Sequence, residues 1–287
     1  MEANMNNVIN ITNYGIALFS PMVLQDYLKK EKIRSKKLLS KFEKEKDIYV
    51  KTLEEGIWIP IVKIDAGSYV IKVAGKDESF DDTWIQKFSY EGFQIEIKDT
   101  LCIGDIHLLE PFQTNQEMSY QDMEGNVINK GCMYAIASGK YQVCIEGYVR
   151  KKAKGHTSTY DNPEYGFLFT LKQIDAFKNY QDPREDEQYN FNIGYLTRSK
   201  QAMIKWDNET IQAHINKEYY PVMKLEDGNV CHLYLEFDST KEKCRVSVLY
   251  KYTYDQLLMS GNTFTISEEI RKKGKNVLCP VGTLTIL

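Results

Sequence analysis

The stretch Ile64-Asp-Ala-Gly67-Ser-Tyr69-Val-Ile71-Lys-Val73-Ala-Gly75 occurs again, in looser form, as Ile136-Ala-Ser-Gly139-Lys-Tyr141-Gln-Val143-Cys-Ile145-Glu-Gly147. Aligned without a gap, the two copies share the first Ile, both Gly and the Tyr. Each copy predicts a tight turn followed by a strand. Gly can adopt the positive φ of a turn, and Tyr and two aliphatic residues at every second position place one face of the strand in a core. The repeat therefore indicates a β architecture and says nothing about chemistry.

Both copies are followed by a charged loop and then by an alternating aromatic strand. This order predicts a mainly β fold with two β-sandwich-like units in tandem, or one large sandwich that holds both hairpins. The polar stretch 111–131 has little periodicity and places the boundary there, which gives an N-terminal unit 1–112 and a C-terminal unit 113–287. The second unit has a further candidate division near residue 200. Within it, the runs 230–237 and 244–252 predict a hairpin.

One long amphipathic N-terminal helix is expected over about residues 22–46, either continuous or broken near Arg34-Ser35. Ser20-Pro21 is a typical helix start, and apolar residues then recur at three- and four-residue steps. The opposite face is basic: Lys29, Lys30, Lys32, Arg34, Lys36, Lys37, Lys41, Lys44 and Lys46. Such a face is either a solvated surface of a helix that covers a sheet, or a docking surface for an acidic partner or a phosphate backbone.

Composition and charge exclude several classes of protein. The 287 residues are 43% hydrophobic and 27% charged, which is enough apolar material for a real core. The net charge of −3 provides no general basic field, so nucleic acid is not expected as a partner. Apolar runs are too short to span a bilayer, and the first seven residues lack the features of a signal peptide. The six Cys are scattered, as in a reduced protein, and we expect a cytoplasmic location without a membrane anchor.

Metal and cofactor sites are not predicted. The loop 76–82 carries four carboxylates within six residues, but their spacing matches no EF-hand and is typical of a polar hairpin loop. The four His form no zinc-binding pattern, and the chain has no phosphate-binding glycine loop, dinucleotide fingerprint or nucleophile elbow.

The basic, hydroxyl-rich loop that begins at Arg150 is the segment most suggestive of binding. His156 lies beside Ser158 and Tyr160, and His-x-Ser invites comparison with phosphoesterases that use two such motifs; a second copy is missing. Aromatic and basic residues also interleave here, as in platforms for single-stranded nucleic acid. Together with the helical segment, the candidate binding residues are Lys36, Lys37, Arg150, Lys151, Lys152, Lys154, His156 and Tyr160.

The Gly-x-Tyr-x-aliphatic-x-aliphatic pattern is loosely similar to bacterial β-sandwich nuclease inhibitors and to immunity proteins of toxin systems. The resemblance covers twelve residues in each copy and also extends to unrelated sandwiches, so it assigns the chain to no family. What it implies is a β scaffold that inhibits another protein.

The sequence favours a non-enzymatic protein that binds and inhibits a protein partner through loops on a β scaffold, as a bacterial immunity or phage counter-defence protein does. Oppositely charged segments also suit a homo-oligomer. The first alternative is a β-sandwich that binds a carbohydrate or nucleotide, with Trp58, Trp84 or Trp206 as the stacking platform. The second alternative is a phosphodiester hydrolase that uses His156.

Overall fold

The computed structural model describes residues 7–115, 117–151, 163–186, 188–207, 212, 217–225, 228–238, 240–249, 257–272 and 275–287. Its contacts divide the chain into two compact units, the first ending at Gly194 and the second beginning at Tyr195. The fold is mainly β, as predicted, with several sheets and a few short helices.

The first unit contains eleven described strands. They are β1 (Val8–Ile11), β2 (Gly15–Phe19), β3 (Trp58–Val62), β4 (Gly67–Val73), β5 (Trp84–Ile97), β6 (Thr100–Asp105), β7 (Ser119–Gln121), β8 (Val127–Asn129), β9 (Gly131–Ala135), β10 (Gly139–Arg150) and β11 (Tyr165–Ile174). A five-stranded sheet has the order β1-β4-β11-β10-β5, and a four-stranded sheet has the order β3-β2-β6-β9. Strands β7 and β8 form a separate hairpin. Only β4 and β11 pair in parallel within these sheets.

The two Gly-x-Tyr copies have the same local structure, as the repeat predicts. Strands β4 and β10 begin at Gly67 and Gly139, whose φ angles of 151° and 159° are rare for other residues. The hydroxyls of Tyr69 and Tyr141 each donate to the carbonyl oxygen four residues earlier, both at 2.7 Å. Both strands flank β11 in one sheet. Strand β5 pairs with β10, and β6 pairs with β9, so strands from the two sides of the expected boundary at residue 112 are neighbours. The contacts divide the chain at residues 194/195 instead.

The single long N-terminal helix is a wrong prediction, because residues 21–54 form three short helices, and the break between the first two includes Arg34-Ser35, the position of the broken alternative. These are α1 (Pro21–Lys30), α2 (Leu38–Lys44) and α3 (Lys46–Glu54). The start at Pro21 and the apolar face are as expected, with Leu24, Tyr27, Leu38 and Phe42 buried. The helices pack with strand residues such as Phe19 and Trp58 in one hydrophobic cluster.

The break after α1 is a hydrogen-bonded helix end. Lys32 adopts φ of 54°, and its N–H donates to Lys29 O at 3.1 Å. The N–H of Ile33 donates to Leu28 O at 2.8 Å, which completes a Schellman motif. Because the left-handed position carries Lys instead of the usual Gly, the sequence suggests a break near Arg34-Ser35 but does not mark the end at Lys32 itself.

The second unit is built around a closed six-stranded barrel. Its strands are β12 (Lys200–Trp206), β13 (Glu218–Tyr219), β14 (Val222–Lys224), β15 (Val230–Phe237), β16 (Lys243–Val248), β17 (Thr263–Lys272) and β18 (Lys275–Ile286). A last helix, α4 (Ile193–Arg198), lies at the division between the units. The ring runs β14-β15-β16-β12-β18-β17 and closes by pairing of β17 with β14, while β13 adds to β15. The predicted hairpin is present as β15 and β16. Alternate residues such as Leu233, Leu235 and Leu284 fill the interior.

Candidate functional site

The structure describes half of the predicted binding residues. Lys36 and Lys37 are exposed in the segment between α1 and α2. Arg150 is the half-buried last residue of β10, and Lys151 follows it in an exposed position. Lys152, Lys154, His156 and Tyr160 lie outside the described residues.

The described candidates fall into two separate regions. Arg150 is paired with Trp84 at the first residue of β5. The helical segment begins near the other end of β5. There the Ser20 hydroxyl accepts from Lys98 N at 3.1 Å, and Lys98 directly follows Ile97, the last residue of β5. Ser20 is the N-cap residue of α1, as the Ser20-Pro21 start predicts, but its side chain makes no cap bond to the helix and ties the helix start to the sheet instead.

Arg150 belongs to a cluster of five side chains, which we call the Trp84 cluster: Lys72, Phe80, Trp84, Tyr148 and Arg150. The Phe80 ring lies at the centre, with its centroid 4.6 Å from that of Trp84 and 4.5 Å from that of Tyr148. The Arg150 guanidinium carbon lies 4.7 Å from the Trp84 ring centroid. The Lys72 ammonium lies 4.7 Å from the Phe80 centroid. Two cation–π contacts therefore flank a group of three tilted aromatic rings, and all five side chains are half-buried.

Strand register determines where the cluster forms. Arg150 stands opposite Trp84, and Tyr148 stands opposite Gly166 on the neighbouring strand. Gly166 has no side chain, and a Cβ placed there would lie 2.5 Å from Phe80 Cζ. The Phe80 ring therefore rests directly on the backbone of β11, between side chains of β4, β5 and β10.

The loop that carries Phe80 is fixed by hydrogen bonds. The Lys72 ammonium donates to Glu78 O at 2.8 Å, and Lys151 N donates to Thr83 O at 2.7 Å. Asp81 accepts from the backbone and hydroxyl of Thr83. These Thr83 bonds, with smaller help from the charges of Lys72 and Arg150, hold the pKa of Asp81 below its usual value. The carboxylate thus remains ionised at neutral pH.

The three Trp of the ligand-binding alternative have different environments. Trp58 is buried, and its Nε1 donates to Thr52 Oγ1 at 2.8 Å. Trp206 packs against Tyr219 and Phe237 in the barrel unit, and its Nε1 donates to Lys241 O. Trp84 is half-buried, with Arg150 over one ring face and Phe80 beside it. Trp84 and Trp206 are thus both partly exposed, whereas Trp58 is buried; Trp84 is the one that belongs to the cluster around Arg150.

The remaining titratable groups have mostly structural surroundings. Burial raises the pKa of the Cys132 and Cys244 thiols to about 12, so these sulfurs are protonated at neutral pH. The Tyr49 hydroxyl donates to Asp182 Oδ1 at 2.6 Å. Burial is the main cause of the raised pKa of Tyr49, and this hydrogen bond is the second. Within the described ranges, no three His, Cys, Asp or Glu side chains are grouped to hold a metal ion.

The sequence pointed to Arg150 and Trp84 but missed Lys72, Phe80 and Gly166. Phe80 is the one aromatic residue in the acidic loop 76–82, and an isolated aromatic among carboxylates is a usable signal of a packed loop. Gly166 lies within the aromatic strand, between Tyr165 and Phe167, and gives no such signal, because the ring that packs on it is known only from the fold.

In the part of the chain that the structure describes, no helix has both the length and the apolar character needed to cross a bilayer. Comparison of the chain with protein-family models, curated proteins and solved structures gives no match. The Trp84 cluster is therefore assessed from its own geometry.

Proposed function

We propose that this protein is a non-enzymatic binding protein whose Trp84 cluster contacts a protein partner. The observation that carries the proposal is a half-exposed group of Trp, Tyr, Phe and Arg side chains. Strand pairing and the hydrogen bonds of the Phe80 loop hold the backbone of this group in place. Trp, Tyr and Arg are enriched among residues that dominate the binding free energy of protein interfaces. Because the cluster is already ordered by its own contacts, little side-chain entropy remains to be lost on binding.

The proposal includes the functional context expected from the sequence: inhibition of the partner, in the cytoplasm, in the manner of an immunity or counter-defence protein. It also includes the expected sandwich, formed by the two larger sheets of the first unit. The Tyr134 hydroxyl on β9 donates to Ile71 O on β4 at 3.2 Å, and this bond between the sheets supports that arrangement.

The test is capture of a partner that depends on the cluster. We expect the wild-type chain to retain a stoichiometric protein from a lysate of its native cells, and Trp84→Ala/Arg150→Ala to lose it. Removing a central Trp and Arg commonly costs at least about 2 kcal/mol each, or roughly thirtyfold in affinity. The measurement is intact mass and light scattering of the eluted complex, followed by titration with the purified partner.

A matched control is available on the same face of the same sheet. Thr170→Ala/Lys172→Ala also removes one uncharged and one cationic side chain, both exposed on β11. This variant should bind like wild type, and circular dichroism should show that both variants are folded at the temperature of the capture. Equal capture by wild type and the Trp84→Ala/Arg150→Ala variant would refute the proposed interface.

The ligand-binding alternative rests on the partly exposed ring of Trp84. It predicts a nucleotide or sugar, without a protein partner, in the mass spectrum of the purified chain. Titration with that compound should then change the Trp fluorescence of the wild-type protein. In Trp84→Phe the part of this change that comes from Trp84 should be lost. The hydrolase alternative depends on His156, outside the described residues, and would be dropped if His156→Ala left phosphodiester turnover unchanged.

A further inference from the structure

The β7–β8 hairpin of the first unit presents an apolar side chain at an acidic tip. Met123 is fully exposed, with a relative accessibility of 106%. Asp122 and Glu124 lie on either side of it, and Tyr120 and Val127 on the two strands are 45% and 60% exposed. Met is over-represented at binding surfaces that adapt their shape to a partner, and this Met is wholly unburied between two carboxylates.

The tip is ordered by its own hydrogen bonds. The Asp122 carboxylate accepts from the backbone N–H groups of Glu124 and Asn126, each at 2.9 Å, and from the Asn126 side chain at 3.1 Å. Gly125 supplies the positive φ of 84° that the turn needs. The Asn126 bonds are the main cause of the lowered pKa of Asp122, so the tip is negatively charged at neutral pH.

A cleft of complementary character lies beside the end of α1. It has a volume of about 610 Å³. Its walls include three apolar and three cationic side chains: Leu28, Ile33, Phe112, Lys29, Lys32 and Arg34. The apolar three are partly buried against the helical core and leave part of their surface on the cleft. The cations lie at exposed positions around them.

We propose that the hairpin tip of one copy of this chain docks in the α1 cleft of a second copy. Met123 would meet the apolar floor, while Asp122 and Glu124 would meet Lys32 and Arg34. The tip and the cleft carry opposite charges, and each has an apolar part that can face the other. The two surfaces are therefore complementary, as the surfaces of an interface must be. This surface is distinct from the Trp84 cluster, so the inference does not depend on the proposed function.

The two surfaces lie close in the sequence, and a two-fold dimer would use both surfaces of each copy. Phe112 of the cleft precedes the first hairpin residue, Ser119, by only seven positions. In a two-fold dimer, if the tip of one copy contacts the cleft of its partner, the same contact occurs in the opposite direction. The tip cannot occupy the cleft of its own chain in this structure, because Met123 is fully exposed.

The experiment measures self-association of the full chain by sedimentation and light scattering from about 1 to 100 µM. We expect a wild-type dimer. Glu124→Lys and Arg34→Glu should each raise its dissociation constant by about tenfold or more, since like charges would then face each other. Met123→Ser should have a similar effect through loss of the apolar anchor. The decisive variant is Glu124→Lys/Arg34→Glu, which should restore dimerisation because the charges are exchanged within each contact.

Lys76→Glu is the matched control, since it also reverses one exposed charge of the first unit at a residue that does not line the cleft. It should dimerise like wild type. A monomeric wild type at 100 µM would overturn the proposal, as would a dimer that neither single charge reversal weakens, or a double variant no better than the single ones. A monomer that binds a labelled oligonucleotide through Arg34 would also overturn it and assign the cleft to a phosphate backbone.

Discussion

At the scale of single residues, the Trp84 cluster depends on the missing side chain of Gly166. In Gly166→Ala, the new Cβ would lie 2.5 Å from Phe80 Cζ, so the ring must move off β11. We expect a loss of about 1–3 kcal/mol in the free energy of unfolding, typical of an overpacked site. Urea denaturation followed by Trp fluorescence would measure it.

A double-mutant cycle separates this clash from a general effect on the strand. In a Phe80→Ala background the clash with the ring is gone and only the tight contact with Val70 O, at 3.1 Å, remains, so Gly166→Ala should cost clearly less than it does in wild type. A cost that stays the same in both backgrounds would show that the strand, and not the Phe80 ring, requires Gly at this position.

At the scale of elements, helix α2 depends on a cap from outside its own sequence. Its N-cap residue, Lys37, makes no side-chain cap bond. The first-turn N–H of Ser40 instead donates to Glu110 Oε1 at 2.9 Å. We therefore expect Glu110→Ala to destabilise the first unit by about 1 kcal/mol, the usual cost of a lost cap. Chemical denaturation is the measurement.

Two further variants define the origin of that effect. Glu110→Gln keeps an acceptor oxygen but removes the charge, so it should recover part of the loss if the hydrogen bond dominates over the interaction with the helix dipole. Glu117→Ala removes a nearby exposed carboxylate and should change stability by less than about 0.5 kcal/mol. A larger effect at Glu117 than at Glu110 would contradict the capping role.

Elements with a local signal were predictable from the sequence. The Gly-x-Tyr strands and the β15–β16 hairpin follow from alternation and turn residues, and the helical apolar face follows from residue spacing. The end of α1 at Lys32 did not, because a Lys in the left-handed conformation lacks the usual Gly signature. The β7–β8 hairpin was read as a polar boundary, since its strands are short and its apolar residues point to solvent.

At the scale of the whole molecule, strand pairs between distant parts of the chain determine the features that local sequence patterns do not predict. The barrel closes because β12 pairs with both β16 and β18, and β17 pairs with β14. No local pattern encodes these pairs. The candidate site has the same origin: Arg150 and Trp84 are 66 positions apart and meet only through the register of β10 and β5. Alternation could predict both strands but not their alignment.

The two units provide internal reporters of independent opening. Cys231 and Cys244 are buried in the barrel unit, and Cys102 and Cys132 are buried in the first unit. A buried thiol reacts with a labelling reagent only when its surroundings open. The rate of labelling at each Cys, read by mass spectrometry of peptides, therefore reports the stability of its own unit.

Leu284→Ala should loosen the barrel unit alone. Leu284 is fully buried in the barrel core, so its truncation should cost about 2–5 kcal/mol there. We expect labelling of Cys231 and Cys244 to accelerate while Cys102 and Cys132 keep their wild-type rates. Leu287→Ala, at a residue that is 54% exposed, should leave all four rates unchanged. If Leu284→Ala accelerated labelling of all four thiols equally, the chain would unfold as one cooperative body, and the division at Tyr195 would have no energetic meaning.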